Sequence, residues 1–248
     1  FLVAERVWRE TQKALGEKTP HIYFKILHQC GALEALIPEL DATIKISQDS
    51  SHNRKKSSMK NPLNSLITAA KLSESVMVRF AATFSEISQK TEESDTQPEL
   101  VQEKEDGALL AELCDRLKVP GKFRRLALNV NRYRKLPQTI HGLSSEEILR
   151  ILLSVNAIQS NAEFENLLIC LAAKTQSSRK PKISSFLRAA QKIVANLDLS
   201  DILCNVFKGD EIGDLIKIKR LQALDEFKLT YHFSATKEEK VKNVRIEK

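Results

Sequence analysis

The stretch "VRFAATFSEISQKTEES", residues 78–94, joins an apolar helical pattern to a polar pair that could take part in chemistry. The apolar positions recur at helical spacing and are Phe80, Phe84 and Ile87. Ser85 and Glu86 stand at the end of this pattern, where a polar segment begins. A carboxylate can bind a divalent metal, whereas a hydroxyl is a poor ligand. The pair is therefore either a surface detail or what is left of a metal site.

Other metal-binding or redox residues are dispersed along the chain. The five histidines are His21, His28, His52, His141 and His232, and no ligand spacing relates them. We expect His28 to be an ordinary packed or surface histidine. The four cysteines are Cys30, Cys114, Cys170 and Cys204, which lie in apolar runs without a CxxC pair. Free buried thiols and the absence of a signal-peptide pattern predict a reducing, cytoplasmic location.

Composition predicts an all-α protein of nine or ten helices to position these groups. Of the 248 residues 42% are apolar, but only 6% are aromatic, with seven Gly and seven Pro. Such a chain is poor in the turn and β-forming residues that a sandwich or barrel needs. It has no run of about 18 apolar residues, so no membrane span and no membrane partner are predicted.

Several helix ends can be predicted from capping residues. Thr19 precedes Pro20 and is expected to cap the second helix, which should end at Gly31. Ser144, with Glu147 three residues later, predicts a capping box. We expect Pro38 to close a short helical turn, residues 47–61 and 90–106 to be loops, and 175–182 to be a basic linker.

Four stretches in this order resemble the bacterial CCA-adding tRNA nucleotidyltransferases, a class shared with bacterial poly(A) polymerases. They are "ERVWRE" (5–10), "FKILHQCGALEALIPELD" (24–41), "LCDRLKVP" (113–120) and "FKGDEI" (207–212). The resemblance implies a neck remainder over 1–40, a body like a degenerate HD domain over 41–142, and a tRNA-binding tail over 143–248.

The resemblance also implies the activity of the parent protein, which adds CCA to the 3′ end of tRNA from CTP and ATP. The family's catalytic head lies upstream and holds Mg²⁺ through paired carboxylates beside a Gly-Ser motif. This chain has no GS motif and no D-x-D pair, and it opens at Phe1 without a lead-in. We therefore expect a piece of a longer enzyme that contains no catalytic residue and is inactive by itself.

The neck motif of the family corresponds here to Glu5, Arg6 and Glu10. The resemblance implies that these residues brace the nucleotide pocket of the head. The simpler alternative is an exposed helix with an Arg6–Glu10 pair, worth a few tenths of a kcal/mol.

The HD motif is where this chain departs from the family. Ser85 and Glu86 take the positions of the His-Asp pair, and Asn64 takes that of the first histidine. One carboxylate with a hydroxyl and an amide is too poor a ligand set for a catalytic metal. We therefore expect that the body binds no metal and that its phosphohydrolase site is lost.

Basic residues are concentrated in acid-free stretches, and the formal net charge of the chain is +7. The candidate RNA-binding residues are Lys122, Arg124, Arg125, Arg132, Arg134, Lys135, Arg179, Lys180, Lys182 and Lys208. Phe123 and Tyr133 interleave with the first of them. Such groups can neutralise phosphates, so tRNA is the expected partner. The alternative is that they only solvate helix faces.

Three other functions remain open at this point. A poly(A) polymerase relative would share the helical architecture, although its members normally lack "FKG.EI" in this context. A stand-alone RNA-binding protein without a head would keep only the tRNA contacts. An HD hydrolase with relocated ligands would bind about one equivalent of a divalent metal.

Overall fold

A computed structural model describes residues 3–52, 61–87, 99–134, 136, 142–174, 180–203 and 209–231. Within these ranges the chain forms thirteen α-helices and no strand, so the predicted all-α class is confirmed, whereas the predicted number of nine or ten helices is too low. The helices are α1 (Ala4–Gly16), α2 (His21–Gln29), α3 (Ala32–Leu36), α4 (Pro38–His52), α5 (Pro62–Leu72), α6 (Val76–Phe84), α7 (Glu99–Arg116), α8 (Gly121–Arg132), α9 (Ser145–Ser154), α10 (Asn161–Lys174), α11 (Lys180–Ala195), α12 (Ser200–Leu203) and α13 (Gly209–Thr230). No helix of the described residues is both long and apolar enough to span a bilayer.

Helix α6 lies at the centre of the packing. It contacts α1, α5, α8 and α10, and every residue from Val78 to Phe84 is buried. A helix that is apolar on all sides is stable only when neighbours enclose it. The prediction that Phe80, Phe84 and Ile87 face a core is confirmed, but the burial extends around the whole helix.

Aromatic rings join α6 to the helices around it. Trp8 of α1 packs edge-on against Phe80 and Phe123, with ring centroids 5.4 and 5.1 Å apart. Phe80 stacks on Phe84 at 4.4 Å, and Phe24 of α2 meets Phe84 at 6.1 Å. Each such ring removes a large apolar area from water. The rings hold α1, α2, α6 and α8 together in one core.

Because α6 is enclosed, its polar groups must find partners inside the protein. The buried guanidinium of Arg79 donates to the carbonyls of Leu15 at 2.8 Å, Glu17 at 2.9 Å and Ser73 at 3.0 Å. Leu15 belongs to the last turn of α1, where carbonyls have no partner within the helix. Arg79 therefore donates hydrogen bonds to free carbonyls at the end of α1 and fixes that helix to α6.

The predicted helix ends at Gly31 and Ser144 are confirmed. Gly31 has a φ of 75°, which a residue without Cβ adopts readily. The Ser144 hydroxyl accepts a bond from the Glu147 amide at 3.1 Å, and the Glu147 carboxylate accepts one from the Ser144 amide at 2.8 Å. The predicted cap at Thr19 is wrong, because α2 begins one residue later and Pro20 holds its N-cap position.

Two of the predicted loops are partly helical. Pro38 begins α4 rather than closing a turn, and α4 continues to His52, through the first six residues of the expected loop 47–61. Proline suits the first helical position, where no amide donor is needed, and Glu39 and Asp41 favour the positive end of the helix. Once packing has formed the first turns, extending a helix is easier than nucleating one.

The same reasoning applies to α7 and α11. Residues 99–106 extend α7, since Glu, Gln, Leu and Lys have high helix propensity. Residues 180–182 form the first turn of α11 rather than the end of a linker. The rest of these predicted segments, 53–60, 90–98 and 175–179, lies outside the described residues.

The division into neck, body and tail stays a prediction. The predicted boundary after residue 40 falls inside α4. A single hydrophobic cluster also runs from Val7 in α1 to Phe227 in α13.

We expect Arg79→Met to lower the free energy of unfolding by about 3–5 kcal/mol, because the carbonyls of Leu15, Glu17 and Ser73 all lose a charged donor. Urea unfolding followed by circular dichroism measures the change. Arg9→Met is the matched control, since Arg9 is exposed on α1. A loss below about 1 kcal/mol for Arg79→Met would show that the hydrogen bonds of Arg79 contribute little to stability.

The structure also predicts which thiols react. Burial raises the pKa of the Cys114 and Cys170 thiols to about 12, whereas Cys30 is exposed. In a Cys204→Ser background we expect one thiol to react with a disulfide reagent at pH 8, and three after denaturation, because the thiolate is the reactive form. Rapid reaction of Cys114 or Cys170 in the native protein would contradict this packing.

Candidate nucleic-acid interface

Helix α8 has two chemically different faces. Phe123, Leu126 and Val130 lie in the core. On the other side Arg124, Leu128 and Arg132 follow one another at intervals of four residues and share a face. The core side fixes the helix by packing, so the opposite side presents its guanidinium groups in a defined row.

A groove of about 880 Å³ lies along this row, between α7, α8 and α9. Small residues on its α7 and α8 walls leave room for it, and they are Gly107, Ala111 and Gly121. Four arginines line it: Arg124, Arg125, Arg132 and Arg150. We call this feature the arginine groove. A guanidinium offers five N–H donors in a planar fork that matches phosphate oxygens.

Two of the four arginines are paired with carboxylates from other helices. Arg124 lies 3.2 Å from Asp115 of α7, and Arg125 pairs with Glu163 of α10. The predicted acid-free stretch is therefore not acid-free in space. The pairs are substantially exposed, and such pairs contribute only about 0–1 kcal/mol. A phosphate can thus displace these carboxylates at little cost.

The other two arginines are not held in ion pairs within the described part of the chain. Among the described residues, Arg132 and Arg150 have no ion-pair partner, and both are exposed. The Nε of Arg124 is buried and has no hydrogen-bond partner in the same part of the chain. Sequence reasoning missed Arg150, because only the packing of α9 against the rest of the fold brings it to the row on α8.

The remaining basic candidates are placed unevenly. Lys122 is exposed, with its Nζ 5.9 Å from the centre of the Phe123 ring, and Arg134 is half-buried. Lys180 and Lys182 lie in the first turn of α11, but their side chains are outside the described set. Lys135, Arg179 and Lys208 also lie outside the described residues. The RNA-binding role of all these residues stays a prediction.

The aromatic residues between these basic groups do not lie at the surface. Phe123 packs in the core, and the buried Tyr133 donates its hydroxyl to Ser154 Oγ at 3.1 Å. Neither ring is accessible for stacking with a base.

The three residues at the predicted HD positions differ in burial and in their hydrogen-bond partners. Asn64 is exposed, and its backbone carbonyl accepts a bond from Thr68. Ser85 is buried, and its hydroxyl donates to the carbonyl of Ala81. In the described part of the chain, no group of three or more His, Cys, Asp or Glu side chains is arranged to hold a metal ion.

Glu86 instead faces a buried lysine. Lys174 Nζ lies 2.9 Å from Glu86 Oε1, and the two side chains are only 3% and 12% exposed. Ser65 Oγ approaches the same carboxylate oxygen at 3.4 Å. The ammonium makes no well-directed hydrogen bond among the described residues, so the contact is ionic. The positive charge of Lys174 thus stands next to the carboxylate that sequence reasoning considered for a metal.

The predicted bracing residues Glu5, Arg6 and Glu10 are all exposed on α1. Glu10 pairs with Lys13 at 3.1 Å, one turn further on, rather than with Arg6. Their bracing role toward another part of the protein stays a prediction.

The stretch 24–41, one of the four that resemble the CCA-adding enzymes, contains a buried carboxylate, Asp41. His28 Nδ1 lies 2.6 Å from Asp41 Oδ1, and Lys45 Nζ lies 2.9 Å from Asp41 Oδ2. Burial by itself raises the pKa of Asp41, but the hydrogen bonds from Lys45 and His28 outweigh it and lower the pKa. His28 thus connects α2 to α4 across the turn at Gly31.

We expect Lys174→Met to lower the free energy of unfolding by about 3–5 kcal/mol, because it leaves the Glu86 carboxylate buried and unpaired. The double variant Lys174→Met with Glu86→Leu should recover most of this loss, since apolar pairs often replace buried ion pairs well. Urea titrations of the two variants measure both. Equal stability of the wild type and Lys174→Met would show that Glu86 reaches water or another cation.

Residues 2–44 match the family described as "Probable RNA and SrmB- binding site of polymerase A". The chain is 32% identical over 230 residues to a "Multifunctional CCA protein" of Teredinibacter turnerae, covering 90% of this chain and 56% of that protein. It is 30% identical over 233 residues to a protein of the same description from Thioalkalivibrio sulfidiphilus, covering 92% and 57%.

No solved structure matches the chain. The chain spans little more than half the length of the two curated relatives. The two matches nevertheless cover 90% and 92% of this chain. Over about nine tenths of its length, the chain is therefore a region related to the C-terminal part of CCA-adding enzymes.

Proposed function

We propose that the chain is the tRNA-binding and positioning part of a CCA-adding tRNA nucleotidyltransferase. The observation that carries the proposal is the arginine groove, where Arg132 and Arg150 stand exposed and unpaired within the described residues. The relationship to multifunctional CCA proteins supplies the class of polyanion. Addition of CCA from CTP and ATP with Mg²⁺ is assigned to a catalytic head outside this chain.

The arginines bind RNA through its backbone. Cationic side chains release the counterions condensed on phosphates, which provides affinity without reading sequence. Arg124 and Arg125 exchange Asp115 and Glu163 for phosphate oxygens, since an exposed pair holds them only weakly. The buried Nε of Arg124 gains an acceptor in the same step.

The stiffness of the groove makes it suitable for positioning. The row on α8 is held by a helix whose opposite face is packed in the aromatic core. The packing fixes the backbone that carries these arginines, so binding orders only their side chains and more of the interaction energy appears as orientation of the RNA. The role of the body and tail is then to present the 3′ end of tRNA to the head.

The proposal gives the body no metal-dependent activity. Glu86 is the one acidic residue at the predicted HD positions, and the Lys174 ammonium already neutralises it. A divalent cation at this carboxylate would have to displace a buried positive charge. The loss of the phosphohydrolase site is thus part of the proposal.

A poly(A) polymerase relative is the second candidate function. It is favoured by the description of the family that matches residues 2–44, which names polymerase A. The two candidates differ in the RNA that they prefer. A CCA-adding enzyme requires a folded tRNA, whereas a poly(A) polymerase relative needs no tRNA shape.

The test is the affinity of the 248-residue chain for a tRNA transcript lacking CCA, measured by fluorescence anisotropy across a salt series. Oligouridylate of equal length is the competitor. Arg132→Gln and Arg150→Gln should each weaken tRNA binding about three- to tenfold at 0.1 M salt. Each should also reduce the salt slope, the magnitude of the slope of log K against log salt concentration, by about 1.

Lys71→Gln is the matched control, because Lys71 is an exposed cation of α5 that does not line the groove. It should leave both affinity and slope unchanged. Equal affinity for tRNA and oligouridylate would favour the second candidate. Weak binding of both, unaffected by either arginine change, would mean that the groove does not bind RNA.

A further inference from the structure

A second groove of about 610 Å³ begins where the arginine groove ends. It lies between α9 and α13, and Arg150 lines both grooves. Its apolar surface is formed by Leu149, Leu153 and Leu221. Its volume is within the range of about 300–1,000 Å³ that small-ligand sites occupy.

The second groove combines an exposed apolar surface with positive charge at its rim. Leu153 is 52% exposed, although it belongs to a well-packed amphipathic helix. Arg150 and Lys217 stand beside it, against the single carboxylate of Glu146. In the described part of the chain, neither cation has an ion-pair partner. A ligand that fits must therefore be apolar on one side and anionic on another.

We propose that this second groove holds the base of an unpaired nucleotide in the RNA whose backbone lies in the arginine groove. The inference rests on the proposed function. A nucleobase has a flat, weakly hydrated face that gains from contact with Leu153 and Leu221, and its phosphate reaches Arg150 and Lys217. In a duplex each base face is covered by its neighbours, so only a nucleotide turned out of the helix can offer one.

Continuity between the two grooves favours a nucleotide over a protein partner. The apolar lining of the second groove consists of three leucines and is continuous through Arg150 with the arginine groove, whereas the centre of a stable protein interface is depleted of charged residues.

The test compares two RNAs of equal length on the 248-residue chain. One is a fully paired hairpin, and the other carries a single bulged 2-aminopurine in its stem. The wild type should bind the bulged RNA about fivefold more tightly, and the 2-aminopurine fluorescence should change on binding because the base leaves water. Leu153→Ser should abolish this preference without changing the affinity for the paired hairpin.

Leu72→Ser is the matched control, because Leu72 is a leucine of α5 with a similar exposure of 47%. It should keep the preference. Leu153→Phe should increase the preference, since an aromatic ring stacks better on a base. If the wild type binds both RNAs equally and with a steep salt slope, the inference is overturned while the proposed function stands. If neither RNA shows salt-dependent binding, both are overturned.

Discussion

The enclosure of α6 is the constraint on which the rest of this structure depends. A helix buried on every side cannot leave polar groups to water, so each one needs a partner in the protein. Arg79 reaches the end of α1, the Ser85 carbonyl accepts the Asn131 amide at 3.0 Å, and Cys170 contacts the Val78 carbonyl. These bonds join α1, α8 and α10 to one central element. The groove on the outer face of α8 has a fixed shape because its inner face belongs to this core.

Two of the ion pairs join helices that are distant in sequence. Lys174 meets Glu86 from 88 positions away, and Arg125 meets Glu163 from 38. The first pair is buried, so losing either partner leaves an uncompensated charge. The second is exposed, so it is weak and exchangeable. The same kind of contact thus stabilises the interior in one place and leaves cations available to a polyanion in another.

Local signals predicted much of the helical framework. Glycine at position 31 and the capping box of Ser144 and Glu147 depend on nearest neighbours, and both ends are where the sequence places them. The apolar spacing of Phe80, Phe84 and Ile87 also correctly predicts a core. The errors fall on polar segments such as 47–52 and 99–106. There helix formation follows from neighbouring packed turns, which no local pattern records.

The sequence by itself determined the all-α class, the main helix starts, the excess of positive charge and the likeness to CCA-adding enzymes. These depend on the amino-acid composition, the spacing of apolar residues and the order of the motifs, which are properties of the sequence alone. Only the tertiary structure decided that Phe123 and Tyr133 are core residues, that Arg150 joins the row on α8, and that Lys174 faces Glu86. The physical reason is that burial and electrostatic pairing depend on distances in space, which packing around α6 sets.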